Sequence, residues 1–107
     1  MSALYGILGQ SAPAAVTLTD AYTVPALKHA TVRVIASNRS NADTFRIAVS
    51  PNGDAIANAH YLAYNQTISA NDSVASAPFT AGSGDVVRVY STAGAMSFSV
   101  TGIEEDD

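Results

Sequence analysis

The chain has no cysteine and no tryptophan, and only 13% of its 107 residues are charged. Without cysteine there is no disulfide framework and no thiolate chemistry. Lysine occurs once, at Lys28, and the four arginines are scattered, so no basic stripe exists to neutralise phosphates. Nucleic acid is therefore not an expected partner. No apolar run is long enough to span a bilayer, so a membrane is not expected either. The start, Met1-Ser2-Ala3-Leu4-Tyr5-Gly6, lacks the basic and apolar regions of a signal peptide. Synthesis in a cytoplasm, without export by the general secretory route, is the expectation. No internal repeat and no useful stretch of helical period is present.

What is present is alternation. In Lys28 to Asn38, Val32 and Val34 flank Arg33, so the valines share one face and the arginine takes the other. In Thr44 to Ser50, Phe45, Ile47 and Val49 oppose Thr44, Arg46 and Ala48. Pro51-Asn52-Gly53-Asp54 follows as a turn, because Asn and Gly tolerate positive φ and Pro presets its own. Residues 16–24, 61–68, 73–79, 85–91 and 95–103 read as further strands. In them Val87, Val89, Met96, Phe98 and Val100 point inward. Seven or so short strands between Gly/Pro/Asn turns predict an all-β fold, a single antiparallel β-sandwich or jelly-roll-like domain over residues 16–103.

The two ends read differently. Residues 1–15 predict an extended N-terminal arm, because Gly6, Gly9 and Pro13 break regular structure. Leu4, Tyr5, Ile7 and Leu8 make that arm too apolar for water, so it is expected to dock on another subunit. Residues 104–107, Glu-Glu-Asp-Asp, predict an exposed acidic tail. Without it, the body carries five acidic and five basic residues and is close to neutral, against −4 for the whole chain. Hydrophobic residues make up 48%, much of it alanine, on a sparsely charged Ser/Thr/Asn-rich background. Such a surface suits a protein covered by neighbours.

Chemistry-bearing residues are few. His29 and His60 are the only histidines, and a metal site needs about three converging ligands. No metal or cofactor is expected. Gly82-Ser83-Gly84 is neither a nucleophile elbow nor a phosphate loop. Asp20, Asp43, Asp54, Asp72 and Asp85 lie in or near turns, where aspartate binds its own backbone, and no Asp-x-Asp-x-Asp calcium loop is present. Three sequons, at Asn38, Asn65 and Asn71, fit chance in an Asn/Ser/Thr-rich chain. No catalytic residue is expected. Arg33, Arg46 and Arg88 stand out on outward strand faces and are candidate subunit contacts, together with Leu4, Tyr5, Ile7 and Leu8. Arginine suits interfaces because its planar fork binds carboxylates bidentately.

Several stretches in order resemble the small β-sandwich structural proteins of tailed-phage virions. They are Gly9-Gln10-Ser11-Ala12-Pro13-Ala14-Ala15, Tyr22-Thr23-Val24-Pro25, Asn38-Arg39 with Thr44-Phe45-Arg46-Ile47-Ala48-Val49, and Tyr61-Leu62-Ala63-Tyr64 with Ile68-Ser69-Ala70-Asn71-Asp72. Gly84-Asp85-Val86-Val87-Arg88-Val89-Tyr90 and Ser97-Phe98-Ser99-Val100-Thr101-Gly102-Ile103-Glu104 complete the likeness. The resemblance implies a non-enzymatic virion protein that self-associates, often as a trimer. Its expected place is as a capsid decoration (cement) protein on the major capsid protein, or as a neck, collar or tail component. A carbohydrate- or receptor-binding module is the reading from another class, since jelly rolls often bind sugars.

Overall fold

Alternation becomes pairing in the computed structural model, which describes residues 3–107. Met1 and Ser2, the first residues of the expected arm, lie outside the described residues. The strands are β1 (Ala3–Ser11), β2 (Thr19–Thr23), β3 (Lys28–Asn38), β4 (Asp43–Ser50), β5 (Tyr61–Ile68), β6 (Ser73–Ala75), β7 (Phe79–Ala81), β8 (Val86–Ser91) and β9 (Met96–Asp106). One sheet runs β1-β9-β3-β6, with β7 also on β3, and the other runs β2-β8-β4-β5. All ladders are antiparallel. The two sheets pack face to face as an all-β sandwich.

The pairing is nested. β4 pairs with β5, β3 with β6 and β7, β2 with β8, and β1 with β9. The chain is thus one long hairpin, with its tip at residues 51–60, rolled so that β3·β9 and β4·β8 also join. With β6 and β7 taken as one interrupted strand, this is the eight-stranded jelly-roll order.

Inward residues of both sheets fill the space between them. Val32, Val34, Ile47, Val87, Val89, Met96 and Val100 are buried, while Val49 is half-buried and packs against the same cluster. Phe45 and Phe98 bridge the sheets, with ring centroids 6.1 Å apart and planes tilted by 58°. Such an aromatic pair contributes about 0.5–1.5 kcal/mol beyond its area. Buried Asp43 locks one end: Oδ2 accepts from Ser91 Oγ at 2.7 Å, and Oδ1 from the Thr44 and Ala93 amides at 2.7 and 3.1 Å. Asp85 staples the tip, accepting from the amides of Asn52 at 3.0 Å and Gly82 at 2.8 Å.

Both chain ends differ from expectation. The N-terminal residues are not a free arm: Ala3 pairs opposite Glu105 and the ladder continues to Ser11 opposite Phe98. Gly9 acts here as clearance and not as a breaker. A Cβ on it would lie 2.2 Å from the Ala21 carbonyl oxygen of β2, so only glycine lets β1 close this side of the sandwich. The acidic tail is only in part a solvated end: Asp107 is exposed, but the three residues before it are built into the sheet. Glu104, Glu105 and Asp106 continue β9, and Glu104 is buried. Tyr22 Oη donates to Glu104 Oε1 at 2.5 Å, Lys28 pairs with Asp106, and His29 Nδ1 lies 2.9 Å from Asp107 Oδ1. The Lys28 ammonium, the Tyr22 phenol and the His29 ring thus give the carboxylates cross-strand partners. The sandwich spans Ala3 to Asp106, wider than 16–103.

Phe45→Ala or Phe98→Ala should each cost about 3–5 kcal/mol in urea unfolding. A loss under about 1 kcal/mol at both sites would contradict their bridging role. A second expectation concerns pH. Burial first, then the hydrogen bond and the charge of Glu104, push the Tyr22 hydroxyl well above the usual phenol range. The folded protein therefore holds this proton more tightly than the unfolded chain. The contribution is complete below the unfolded value near 10 and fades as pH rises above it, by up to about 1.4 kcal/mol per pH unit. Stability should be level between about pH 8 and 9 in this respect and fall above about 10. The fall should be shallower in Tyr22→Phe; equal slopes would exclude Tyr22 as its source.

Candidate interaction surfaces

Inward valines force their neighbours outward, and the outer face of the β1-β9-β3 sheet is built from those neighbours. Tyr5 stands opposite Ile103, which stands opposite Thr31; Ile7 stands opposite Thr101, which stands opposite Arg33. Tyr5 is 75% exposed and Ile7 63%. β1 pairs with β9 alone, and nothing in Ala3 to Gln10 is charged or proline. Such an edge has neither the charge nor the proline that commonly discourage pairing with another chain, although a bulge interrupts it between Ile7 and Gly9. Leu4 is exposed on the opposite side of the strand. Leu8, in the bulge between Ile7 and Gly9, is half-buried against the core of its own chain. Leu8 therefore offers less open apolar surface to a neighbour than Tyr5 or Ile7.

The other outer face has a different chemistry. Arg46 stands opposite Tyr90, with its guanidinium carbon 4.2 Å from the Tyr90 ring centroid and 4.2 Å from that of Tyr64. Tyr61 and Tyr64 meet edge to face at 4.8 Å. Tyr61 and Tyr64 are three residues apart, which in a regular strand means opposite faces. Two register shifts in β5 bring them together: Phe45 opposes Gln66, Ile47 opposes Ala63, and Ala48 opposes Tyr61. Asn65, at φ 50°, sits in the extra space and accepts from Arg46 Nε at 2.8 Å. The signal for this cluster is three tyrosines and an arginine on adjoining strands, and it is unreadable without the bulges. Beside the pair lies a hollow of about 460 Å³ lined by Asn58, Tyr61 and Tyr64.

The three arginines are thus not one set. Arg33 is exposed on the first sheet, and Arg46 and Arg88 lie on the second. Arg88 is neutralised: Nε is 3.0 Å from Asp20 Oδ1, and Nη1 donates to the Asp54 carbonyl at 3.2 Å. The histidines sit apart, His29 against the β9 carboxylates and His60 Nδ1 accepting from the Ala57 amide at 3.1 Å. Among the described residues no group of three or more His, Cys, Asp or Glu is placed to hold a metal ion, and no helix is long and apolar enough to cross a membrane. On the side away from β1, a cleft of about 420 Å³ opens between β5 and β6–β7, with Phe45 and Ile47 lining it.

No family model matches this chain, and neither a curated protein nor a solved structure does.

Arg46→Ala removes two close ring contacts and one hydrogen bond, and should cost about 1–2 kcal/mol in urea unfolding. Arg33→Ala, on an exposed site with no bonded partner among the described residues, should stay within about 0.5 kcal/mol of the parent. Equal losses would mean that the stacked arrangement adds nothing.

Proposed function

We propose that the protein is a non-enzymatic structural component of a tailed-phage virion, a capsid decoration (cement) protein. It is made in the host cytoplasm, associates with itself, as a trimer, and binds the major capsid lattice. The observation that carries this reading is the β1 edge: an uncharged, proline-free strand with Tyr5 and Ile7 exposed on the outer face that, across β9, also carries Arg33. Monomeric proteins commonly guard such edges with charge, proline or a covering segment. The jelly-roll wiring supports the reading by analogy, since viral capsid domains use it. The resemblance of the strand sequences to small virion β-sandwiches supports it independently. Repetition over a lattice turns a modest contact per copy into large total stabilisation.

The test is the double variant Tyr5→Ser/Ile7→Lys. Both side chains are exposed, so the isolated fold should keep its unfolding midpoint. Sedimentation velocity at micromolar concentrations should show a loss of oligomer, and purified particles should carry fewer copies. A parent protein that sediments as a monomer throughout and does not bind particles would overturn the proposal. So would a double variant that assembles like the parent.

A further inference from the structure

Strand β1 buries little in its own chain, and the loop that leads out of it is strained. We propose that β1 is an exchangeable strand: released by a connector strained at Val16, it leaves its own β9 and pairs with β9 of a second copy. The inference rests on the self-association proposed above. The exposed edge brings copies together, and exchange makes the contact last.

The first observation is how β1 is held. It pairs with β9 alone, and none of its residues is fully buried. Leu8, Gly9 and Ser11 are half-buried, and the rest are exposed. A segment that buries few apolar groups opens at low free-energy cost. What chiefly holds β1 is its backbone ladder, and a strand of the same sequence restores that ladder in full.

The second observation is the connector. Residues 12–18 carry the chain from one sheet to the other. Val16 takes φ 55° there, a left-handed conformation that a β-branched residue rarely adopts. Its side chain is 66% exposed, so packing does little to offset the strain. The Val16 amide donates to the Ser91 carbonyl at 2.9 Å, which pins the loop against the turn between β8 and β9. The fit at that turn is close: a Cβ on Gly94 would lie 2.8 Å from the Ala15 nitrogen. Opening a short, strained connector releases its strain, and that favours exchange between copies.

The third observation names the occupant. The slot along β9 is seen filled, from Ala3 opposite Glu105 to Ser11 opposite Phe98, with a bulge after Ile7 and with Gly9 under the Ala21 carbonyl. The β1 of a second copy brings the same bulge and the same glycine. A strand of another protein would have to match both. Exchange also needs no self-complementary surface. Passed from each copy to the next, the strand closes a ring, and three copies suffice.

The chain has no cysteine, so engineered thiols report without background. Gln10 Nε2 donates to Ser99 Oγ at 3.2 Å across β1 and β9, on an exposed face. Full-length Gln10→Cys and Ser99→Cys proteins, each with the parent's unfolding midpoint, are mixed and unfolded in urea. They are then refolded together at a concentration where the parent self-associates, and oxidised. Exchange should give a disulfide between the two different variants. Adding Val16→Gly to both should lower its yield by about fivefold or more, because glycine takes positive φ without strain. Disulfides only between like variants, or none, in a sample that still sediments as an oligomer would overturn exchange and leave the edge contact standing. An unchanged yield with Val16→Gly would overturn it too, since the strained connector is its driving force. A parent that sediments as a monomer throughout would remove both readings.

Discussion

The structure depends on the last strand finding its slot. β9 lies between β1 and β3 and pairs with β3 along its whole length, from Lys28 opposite Asp106 to Asn38 opposite Met96. It brings Met96, Phe98 and Val100 into the core and Glu104 to Tyr22. The fit to β3 is close at Gly102, where a Cβ would lie 2.1 Å from the Thr31 carbonyl oxygen. Because the central strand of this sheet comes last, the sheet stays open until nearly all of the chain is available. Nested pairing of this kind closes long loops before contacts offset their entropy, so folding is intrinsically slow.

The interior is economical. Ala30, Ala36, Ala48 and Ala81 are fully or almost fully buried, yet alanine contributes little hydrophobic free energy. The larger share falls on Phe45, Phe98, Met96, Ile47 and the valines. A domain of this size with a light core has little surplus stability, and covering its outer faces is a direct way to add some. Those faces are unlike: one carries β-branched residues and is bounded by an uncharged edge, the other is aromatic with a stacked cation. They suit different neighbours.

Much of the fold was legible in local pattern. Val32, Val34 and Arg33 place β3 from Lys28 to Asn38, and alternation in β9 puts Met96, Phe98 and Val100 inside, as observed. The ends were not legible, for reasons of distance and clearance. Gly6 and Gly9 look like breaks when the neighbouring backbone is unknown. Next to Ala21, Gly9 is the residue that permits the strand to close on β2. The four terminal acids look solvated because their partners, Tyr22, Lys28 and His29, lie more than seventy positions earlier in the chain. Of the candidate site residues, Tyr5, Ile7 and Arg33 share a face because regular strands keep their parity. The tyrosine–arginine cluster escaped because it depends on two register shifts in β5, where parity fails. Asn65 at positive φ marks the place, but asparagine alone does not announce a bulge.

The nested wiring also sets the first and last strands side by side. Ala3 and Glu105 are register partners, so the two ends of the sandwich lie side by side, separated by one strand spacing of about 5 Å. The hairpin tip at residues 51–60 is the natural seam at which the chain could be reopened. Joining Asp106 to Ala3 through a short linker and starting the chain there would give a circular permutant of the sandwich with the same ladders. In that order β9 and β1 would be covalent neighbours, and the pair that now closes the longest loop would close the shortest.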